Sequence, residues 1–199
     1  MKNTYRVETL ESIYKAALQL FAKFGYKKAT VEDIANELGM TKGNIYFYVK
    51  NKKDLYEKSI AYALASWQSS VRNALADEKN SINKLFIMFQ KGNQYLNEHA
   101  DLQTVLINDP DIMALSDEED RFDNINKKTR SMLKSIIDDG VRSGTFREMD
   151  TAHVTSLIYN AYILYVIKAY IKSEGESITQ IFEEGINILL HGILKQKTA

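Results

Sequence analysis

Proline is almost absent from this chain, which has one in 199 residues together with only nine glycines. Sheet-rich folds need many tight turns, and these two residue types form such turns most readily. So small a supply favours long, uninterrupted helices. The apolar residues agree, because over residues 7–24 and in most later segments they recur at spacings of three and four, the period of an amphipathic helix. The sequence predicts an all-α protein with about nine helices and no strand.

Several functional classes do not fit the residues present. The chain has no cysteine, which excludes disulfides, thiolate metal sites and cysteine nucleophiles. A helical bundle could hold a di-iron site, but such a site needs Glu-x-x-His pairs on two helices. None of the three histidines has a glutamate three residues before it, and no glycine-rich phosphate loop or Ser/His/Asp spacing is visible. We therefore expect a protein that is not an enzyme and uses no metal or cofactor.

The location of the protein is predicted from its apolar segments. No apolar run that could form a signal peptide follows Met1–Arg6. The most apolar stretch, residues 154–171, is interrupted by Asn160 and Lys168, so it lacks the unbroken apolar length that a membrane span needs. We expect a cytoplasmic protein without a membrane partner, in which this stretch is a buried or interface helix.

Charge is distributed unevenly along a chain whose formal net charge is +0. Residues 1–60 contain 11 lysines and arginines against 7 acidic residues, whereas the remainder contains 15 against 19. A basic N-terminal part on an acidic remainder is the arrangement expected when only the first part meets phosphate. The asymmetry favours nucleic-acid binding by the N-terminal part.

Two short helices joined by a glycine turn are predicted between residues 30 and 48. Thr30 begins the first, with Asp33 in the reciprocal capping-box position. Gly39 supplies the left-handed residue that ends it, and only two residues separate Gly39 from the next helix, at about 42–48. This is the helix-turn-helix pattern, whose second helix enters the DNA major groove with its N-terminus first.

The second of these helices carries most of the DNA-binding candidates. Ile45 and Val49 are four residues apart and are predicted to face inward, which leaves the other side chains for the outer surface. Lys42 can donate to guanine, and Asn44 can pair with adenine or bond a phosphate. Lys52 is expected in the first turn of the next helix, where free N–H groups point at the same phosphate. The whole proposed set is Thr30, Thr41, Lys42, Gly43, Asn44, Tyr46, Phe47, Tyr48 and Lys52.

The segment GMTKGNIYFYVKNKKDLYEK resembles the end of the DNA-binding head in the TetR family of transcriptional regulators. The preceding ATVEDIANELG and ALQLFAKFGYKKAT resemble the family's second helix and its first helix with the following loop, so the resemblance covers about 50 residues. Val49 stands where phenylalanine is commoner in the family, and Lys53 where an acidic residue is commoner. The matching positions are Gly39, Thr41, Gly43, Ile45, Tyr46, Phe47, Tyr48, Lys52, Asp54 and Leu55.

This resemblance implies a helix-turn-helix DNA-binding domain at residues 1–50 and a helical effector-binding and dimerisation domain at residues 51–199. It further implies a homodimeric repressor that a small hydrophobic effector releases from double-stranded DNA. Because the dimer would place its two recognition helices about 34–36 Å apart, the operator is expected to be palindromic. The alternatives are an activator, an effector-independent regulator, and a helix-turn-helix that contacts protein instead of DNA.

Two sets of residues in the C-terminal part follow from the resemblance, although each of these residues also fits an ordinary helical core. The apolar faces of the last two helices are expected to form the dimer interface: Val154, Leu157, Ala161, Leu164, Tyr165, Ile181, Ile188 and Leu189. Bulky residues of the middle helices, with two asparagines as polar groups, are expected to surround an apolar effector: Trp67, Met88, Phe89, Asn93, Met113, Phe122, Tyr159, Asn160 and Tyr162.

Overall fold

The computed structural model describes the backbone of residues 2–113, 120–172 and 176–194, and the side chains of residues 8–113, 120–172 and 179–194. Over these ranges it contains nine α-helices and no strand beyond one isolated bridge between Phe146 and Leu194. The all-α prediction is confirmed. A 3₁₀ turn at Pro110–Ile112 follows the sixth helix. The helices are α1 (Lys2–Lys28), α2 (Val31–Glu37), α3 (Lys42–Tyr46), α4 (Lys52–Leu75), α5 (Ser81–Glu98), α6 (Ala100–Asn108), α7 (Asp123–Arg142), α8 (Thr151–Val166) and α9 (Glu176–Ile193).

Polar side chains mark the starts of several helices, because the first N–H groups of a helix have no partner within it. The Asn51 side-chain oxygen accepts a bond of 2.9 Å from the backbone of Asp54 at the start of α4. Asn80 does the same for the first turn of α5. Asp150 accepts bonds of 2.9 and 3.0 Å from the first turn of α8. Asn51 and Asp150 thus cap the starts of α4 and α8. The spacing of Ser116 and Glu119 predicts a further helix start, which lies outside the described residues.

Gly25 interrupts α1 where the sequence predicts the helix to stop. Its backbone angles, φ 75° and ψ 157°, lie outside the helical region and are readily adopted by glycine only. One more helical turn follows, since the Ala29 N–H donates to the Gly25 carbonyl at 3.1 Å. The result is a kink near residue 25 with a short continuation to Lys28.

The chain packs as two compact units, each formed from two separate stretches of sequence. The first contains Met1–Trp67 and Leu96–Asp109, and the second contains Gln68–Tyr95 and Pro110–Ala199. Both α4 and α5 therefore begin in one unit and end in the other. These packing units interleave in sequence, and the division into functional domains at residue 50 stays a prediction.

The first unit is built on the packing of α1 against α6, with α2 and α3 joined at one side of α1. Its largest fully buried side chains include Phe21 of α1, Ile34 of α2 and Ile45 of α3. Leu55 and Ile60 of α4 are also fully buried. The DNA-binding candidates are thus carried by helices whose opposite faces form one shared apolar core.

The second unit is built on α7, α8 and α9, which pack against one another in sequence order. Its buried side chains include Leu133 and Ile137 of α7 and Ile158 and Val166 of α8. The π-helical segment Ile167–Ile171 continues directly from the end of α8. One extra residue per turn in such a segment changes which side chains face the core.

The stretch Thr151–Ile171 is the one described helix that is long and apolar enough to cross a membrane by length and composition, with a mean hydropathy of 1.3. The core helix of a folded domain can meet the same test, because it is apolar on most of its faces. Here Ile158 and Val166 are buried in the second unit, whereas Leu157 and Leu164 are exposed. The helix therefore has one face in the core and one apolar face outside it.

Position 140 of α7 requires glycine, because the ring of Phe146 occupies the space that any side chain there would need. Phe146 lies in the turn between α7 and α8. A Cβ atom built on Gly140 would lie only 2.1 Å from the Phe146 ring. The Phe146 N–H donates to the Gly140 carbonyl at 2.9 Å, and the ring is almost fully buried. Gly144, with φ 71°, supplies the left-handed residue that this tight return needs.

Gly140→Ala should destabilise the fold by about 1–3 kcal/mol, because a buried ring held by its own backbone bond cannot move away from the new methyl group. Combining Gly140→Ala with Phe146→Leu replaces the ring by a smaller side chain and tests whether the ring causes this loss of stability. In the double variant the overlap is relieved, so its loss of stability in chemical denaturation should be smaller than the sum of the two single losses. Strictly additive losses would contradict the steric account.

Candidate nucleic-acid interface

The α2–turn–α3 unit has the geometry that the sequence predicts. Gly39 has φ 62°, which lets the chain leave α2 sharply, and the Met40 N–H donates back to the Ala35 carbonyl at 2.8 Å. Ile45 is fully buried and Val49 nearly so. The inward-facing positions are therefore confirmed, and the remaining side chains of α3 point away from the core.

The outer surface of α3 is exposed and partly aromatic. Lys42, Gly43 and Asn44 are exposed, and the Phe47 side chain just after α3 is 74% exposed. Tyr48 is half-buried, and its ring meets the Phe47 ring edge to face at 5.3 Å. Tyr46, at 42% exposed, adds a second aromatic ring beside Phe47, and adjoining exposed apolar groups of this kind mark contact surfaces.

Thr41 caps the start of α3 and forms a reciprocal capping box with Asn44. The Asn44 side-chain oxygen accepts from the Thr41 backbone N–H at 3.0 Å and also from the Thr41 hydroxyl. In return the Thr41 hydroxyl oxygen accepts from the Asn44 N–H at 3.3 Å. Pairing with adenine through both ends of the amide needs that same oxygen. In this conformation Asn44 has only its amide N–H groups to offer DNA.

Thr30 begins α2 with the predicted capping box, and its hydroxyl is used there. The Thr30 hydroxyl donates to the Asp33 carboxylate at 2.7 Å and accepts from the Asp33 N–H at 3.1 Å. This bond from the Thr30 side chain, together with one from the Thr30 backbone, lowers the pKa of Asp33. A phosphate contact by the Thr30 hydroxyl would have to replace the bond to Asp33.

Lys52 lies in the first turn of α4, as predicted, and is held against the end of α1. Its ammonium group donates to the Lys27 carbonyl at 3.2 Å and lies 4.7 Å from the centre of the Tyr26 ring. A lysine ammonium has three N–H donors, so these contacts orient it and still leave it able to donate to a phosphate.

Asp54 and Lys58 hold the corner between α3 and α4, a role that the sequence analysis misses. The Asp54 carboxylate accepts from the Lys50 N–H at 2.8 Å and from the Lys58 ammonium at 2.9 Å. The backbone bond from Lys50 is the main reason why the pKa of Asp54 is lowered. Lys58 also donates to the Tyr48 carbonyl at 3.3 Å. An acid and a lysine four residues apart are the signal that sequence reasoning could have used.

A second unpredicted contact ties α4 to α6 within the first unit. The Tyr56 hydroxyl donates to the Asp109 carboxylate at 3.0 Å, just beyond the end of α6. The Tyr56 ring packs edge to face on Phe21 at 5.0 Å and lies 4.8 Å from the Tyr26 ring. The helix that follows α3 is thus fixed to both α1 and α6.

Eight of the nine proposed effector residues fall into three groups in the structure, and the ninth, Asn93, is half-buried. Six are buried in the second unit: Met88, Phe89, Met113, Phe122, Tyr159 and Tyr162. Trp67 is half-buried and belongs to the first unit. Asn160 is exposed on α8, so its assignment as a polar group facing a buried effector is wrong. It lies on the same outer face as Leu157 and Leu164, at helical spacings of three and four.

Asn93 is hydrogen-bonded inside an aromatic cluster of the second unit, and its role as a polar group facing an effector stays a prediction. Its amide nitrogen donates to the Tyr165 hydroxyl at 3.1 Å, and its side-chain oxygen accepts from the Tyr162 hydroxyl at 3.4 Å. The Phe89 ring lies 5.2 Å from the Tyr162 ring. Burial raises the pKa of Tyr162 well above its usual value, so this cluster is uncharged at neutral pH.

The proposed dimer residues also divide by burial. Leu157, Leu164, Ile181 and Ile188 are exposed on α8 and α9, Ile188 by 73%. Val154, Ala161 and Leu189 are half-buried. Tyr165 instead packs inside the unit, stacked on Phe182 with ring centres 4.3 Å apart. It does not belong to an outer face, and we remove it from the proposed interface.

Family models match almost the whole chain. Residues 13–58 match the model described as bacterial regulatory proteins, tetR family, and residues 64–195 match that described as QacR-like protein, C-terminal region. The chain belongs to the TetR family of bacterial regulatory proteins. It is accordingly a DNA-binding transcriptional regulator and not an enzyme.

Relatives along the full length agree with this TetR-family assignment. The transcriptional repressor KstR2 of Mycolicibacterium smegmatis is 27% identical over 191 residues, covering 94% of this chain and 91% of its own. A TetR transcription regulator from Haloarcula marismortui has the same fold, with a TM-score of 0.79, 21% identity and coverage of 95% and 100%. The regulator FadR of Bacillus subtilis, solved in complex with stearoyl-CoA, also has this fold. Its TM-score is 0.74 at 21% identity, and the match covers 92% of this chain and 98% of FadR.

The described part of this TetR-family chain contains no group of three histidine, cysteine, aspartate or glutamate side chains placed to hold a metal ion.

Asn44→Ala should lower the free energy of unfolding by about 0.3–1.5 kcal/mol, because the capping box at the start of α3 is lost. Asn44→Asp is the matched control: it keeps the acceptor and places a negative charge at a helix N-terminus, where such a charge is favourable. Urea denaturation of both variants measures the difference. Equal stability of the alanine variant and the wild type would show that the box does not hold α3.

Proposed function

We propose that the protein is a homodimeric repressor whose α3 helices read a palindromic DNA operator, and that a small apolar effector releases it. The observation that carries the DNA-reading role is the outer surface of α3. There, Lys42, Asn44 and Phe47 are exposed while Ile45 on the opposite side is fully buried. A fixed core face with an exposed polar and aromatic face is what insertion into a major groove requires.

The side chains divide into base-reading and phosphate-binding groups. Lys42 stands in the first turn of α3, where it can reach guanine, and the Phe47 ring can pack on a thymine methyl group. Lys52, fixed by the Lys27 carbonyl, is placed to bind a phosphate. The amide N–H groups of Asn44 can donate to a base or to a phosphate. Lysine contacts to phosphate make binding strongly dependent on salt.

Lys42→Ala should cost about 1–3 kcal/mol on the preferred DNA site and relax its sequence preference. Lys52→Ala should weaken binding to all sequences alike and reduce the salt slope by about one unit, because a phosphate contact carries no base information. Lys128→Ala, an exposed lysine on α7, is the charge control and should leave binding unchanged. Fluorescence anisotropy with DNA from upstream of the protein's own gene measures all three.

The reverse pattern would refute these roles: Lys52→Ala altering the sequence preference while Lys42→Ala leaves it intact. Asn44→Asp, which retains the cap of α3, separates folding from binding. It should be stable yet bind DNA weakly, since it replaces an N–H donor by a negative charge beside phosphate.

The dimer proposal is supported by the four exposed aliphatic side chains on α8 and α9. Monomers rarely expose several large aliphatic residues on neighbouring helices without a partner. Leu157, Leu164 and Ile181 are between 47% and 60% exposed, and Ile188 is 73% exposed. A second copy of the same pair of helices would bury them in a two-fold interface.

Leu164→Glu should convert the dimer to monomers, because two-fold symmetry would bury two unpaired carboxylates in one interface. Ile107→Glu is the matched control, since Ile107 is similarly exposed, at 43%, but lies on α6 of the first unit. It should remain a dimer. Multi-angle light scattering at micromolar concentration measures both, and a monomeric wild type would refute the dimer.

The effector proposal is supported by the aromatic cluster in the second unit. Its groups are apolar except for neutral amide and hydroxyl groups around Asn93, which suits an apolar ligand with few polar groups. Met88 and Met113 are also buried in this unit, and methionine adapts readily to irregular shapes. The name of FadR, solved with stearoyl-CoA, and that of KstR2 as a repressor are consistent with an acyl or similarly apolar effector and with repression. A DNA-binding repressor of this kind would act in the cytoplasm.

Stearoyl-CoA should lower the affinity for operator DNA by at least tenfold, because a ligand that prefers the DNA-free conformation shifts the equilibrium by its difference in affinity. Coenzyme A without the acyl chain is the control and should have no effect. The measurement is anisotropy of labelled operator at rising ligand concentration. An unchanged operator affinity with stearoyl-CoA bound to the protein would contradict release by an acyl ligand and favour an effector-independent regulator.

A further inference from the structure

A groove of about 240 Å³ lies in the second unit, between the C-terminal part of α4, the start of α5 and the middle of α7. It shares no residue with the proposed effector set or with the proposed dimer face. Both its apolar floor and its charged rim are formed by side chains of the described residues. It is therefore a separate feature of this unit.

The floor of the groove is apolar. Met132 is half-buried and Ile136 almost fully buried, both on α7, and Leu75 of α4 closes one side. Ser135 adds one hydroxyl at the edge. A pocket of this kind gains binding energy by taking apolar carbon out of water, and one hydroxyl provides a polar contact.

The rim of the groove is positively charged. Arg72 comes from α4 and Lys84 from α5, on different helices. The acidic group in the lining, Asp139, forms a surface ion pair with Arg142 at 2.8 Å, which weakens its repulsion of an anion without removing it. Glu78, which Lys84 also influences, accepts bonds from the backbone of Lys79 and Asn80 and from the Asn83 side chain. These hydrogen bonds keep Glu78 ionised, so three cations (Arg72, Lys84 and Arg142) stand against two carboxylates (Asp139 and Glu78), and the one net positive charge favours an anion.

We propose that this groove binds a small amphipathic carboxylate, with its carboxylate between Arg72 and Lys84 and its apolar body on Met132 and Ile136. Arginine and lysine donate charge-assisted hydrogen bonds to a carboxylate. The volume is below the roughly 300–1,000 Å³ of pockets that take drug-sized molecules. The ligand is therefore a short acyl or single-ring acid, and this second site would bind it independently of the effector.

Hexanoate tests the proposal directly, with hexanamide as a neutral ligand of equal size. The readout is the NMR signal of the Met132 methyl group in full-length protein labelled at its methionine methyls, with assignment by Met132→Leu. Hexanoate should shift the Met132 signal saturably, and the signals of Met88 and Met113, the two methionines of the proposed effector set, should not move. Hexanamide should bind several-fold more weakly, because it has no charge to pair with the rim.

Variants that change a single charge test whether hexanoate binds at the rim of this groove. Arg72→Gln and Lys84→Gln should each weaken hexanoate binding by about two- to fivefold, the range for partly exposed ion pairs. Asp139→Asn should strengthen it, and Lys128→Gln, elsewhere on α7, should leave it unchanged. Higher salt should weaken binding by screening.

Equal affinities for hexanoate and hexanamide would overturn the proposal, as would a Met132 shift that survives loss of both rim cations. So would a response confined to Met88 and Met113, which would place the ligand in the effector cluster instead. The proposed repression and dimer would stand in all of these cases, since no variant here touches α3 or the exposed face of α8 and α9.

Discussion

A helix of five residues is too short to be stable in water, because the cost of starting a helix is recovered only over several turns. The DNA-facing helix α3 has five residues, Lys42–Tyr46. Its position depends on the full burial of Ile45 and on the capping box between Thr41 and Asn44. At its far end, the Asp54–Lys58 pair fixes the turn into α4. The position of the DNA-facing surface of α3 therefore depends on contacts that its buried face and its two ends make within the protein.

The same polar side chains both stabilise the helix starts and face the surface where DNA is proposed to bind. Thr30 and Asn44 are hydrogen-bonded within their own capping boxes, and Lys52 is bonded to the Lys27 carbonyl. Such bonds reduce the conformational freedom that binding would otherwise have to remove. They also restrict which atoms remain to meet DNA: N–H groups from Asn44 and the ammonium of Lys52. Direct base reading then rests mainly on Lys42 and Phe47.

Much of this fold is predictable from sequence because its signals are local. The capping residue at Thr30, the left-handed Gly39 and the inward spacing of Ile45 and Val49 each depend on a few neighbouring residues, and each is confirmed. Contacts between distant residues carry no such signal. The bond from Tyr56 to Asp109 joins residues 53 positions apart.

The errors on α8 have a related cause. This helix is apolar on most of its faces, so its pattern does not show which side meets the core. The sequence therefore predicts Asn160 inside, although it is exposed, and Tyr165 outside, although it is buried against Phe182. Contacts with residues far along the chain distinguish these faces, such as the stacking of Tyr165 on Phe182 of α9. The candidate DNA interface is more predictable than the second unit, because the helices that form it are short and individually capped.

Selection of genomic DNA fragments by the purified protein, followed by sequencing, tests the central claim most directly. The account predicts one enriched motif with two-fold symmetry, whose half-sites are centred about one helical turn, or 34–36 Å, apart. It also predicts that the motif loses definition at particular base positions when Lys42 is replaced by alanine. Enrichment of no motif, or of an asymmetric one that Lys42→Ala leaves unchanged, would contradict the claim that a symmetric pair of α3 helices reads the DNA.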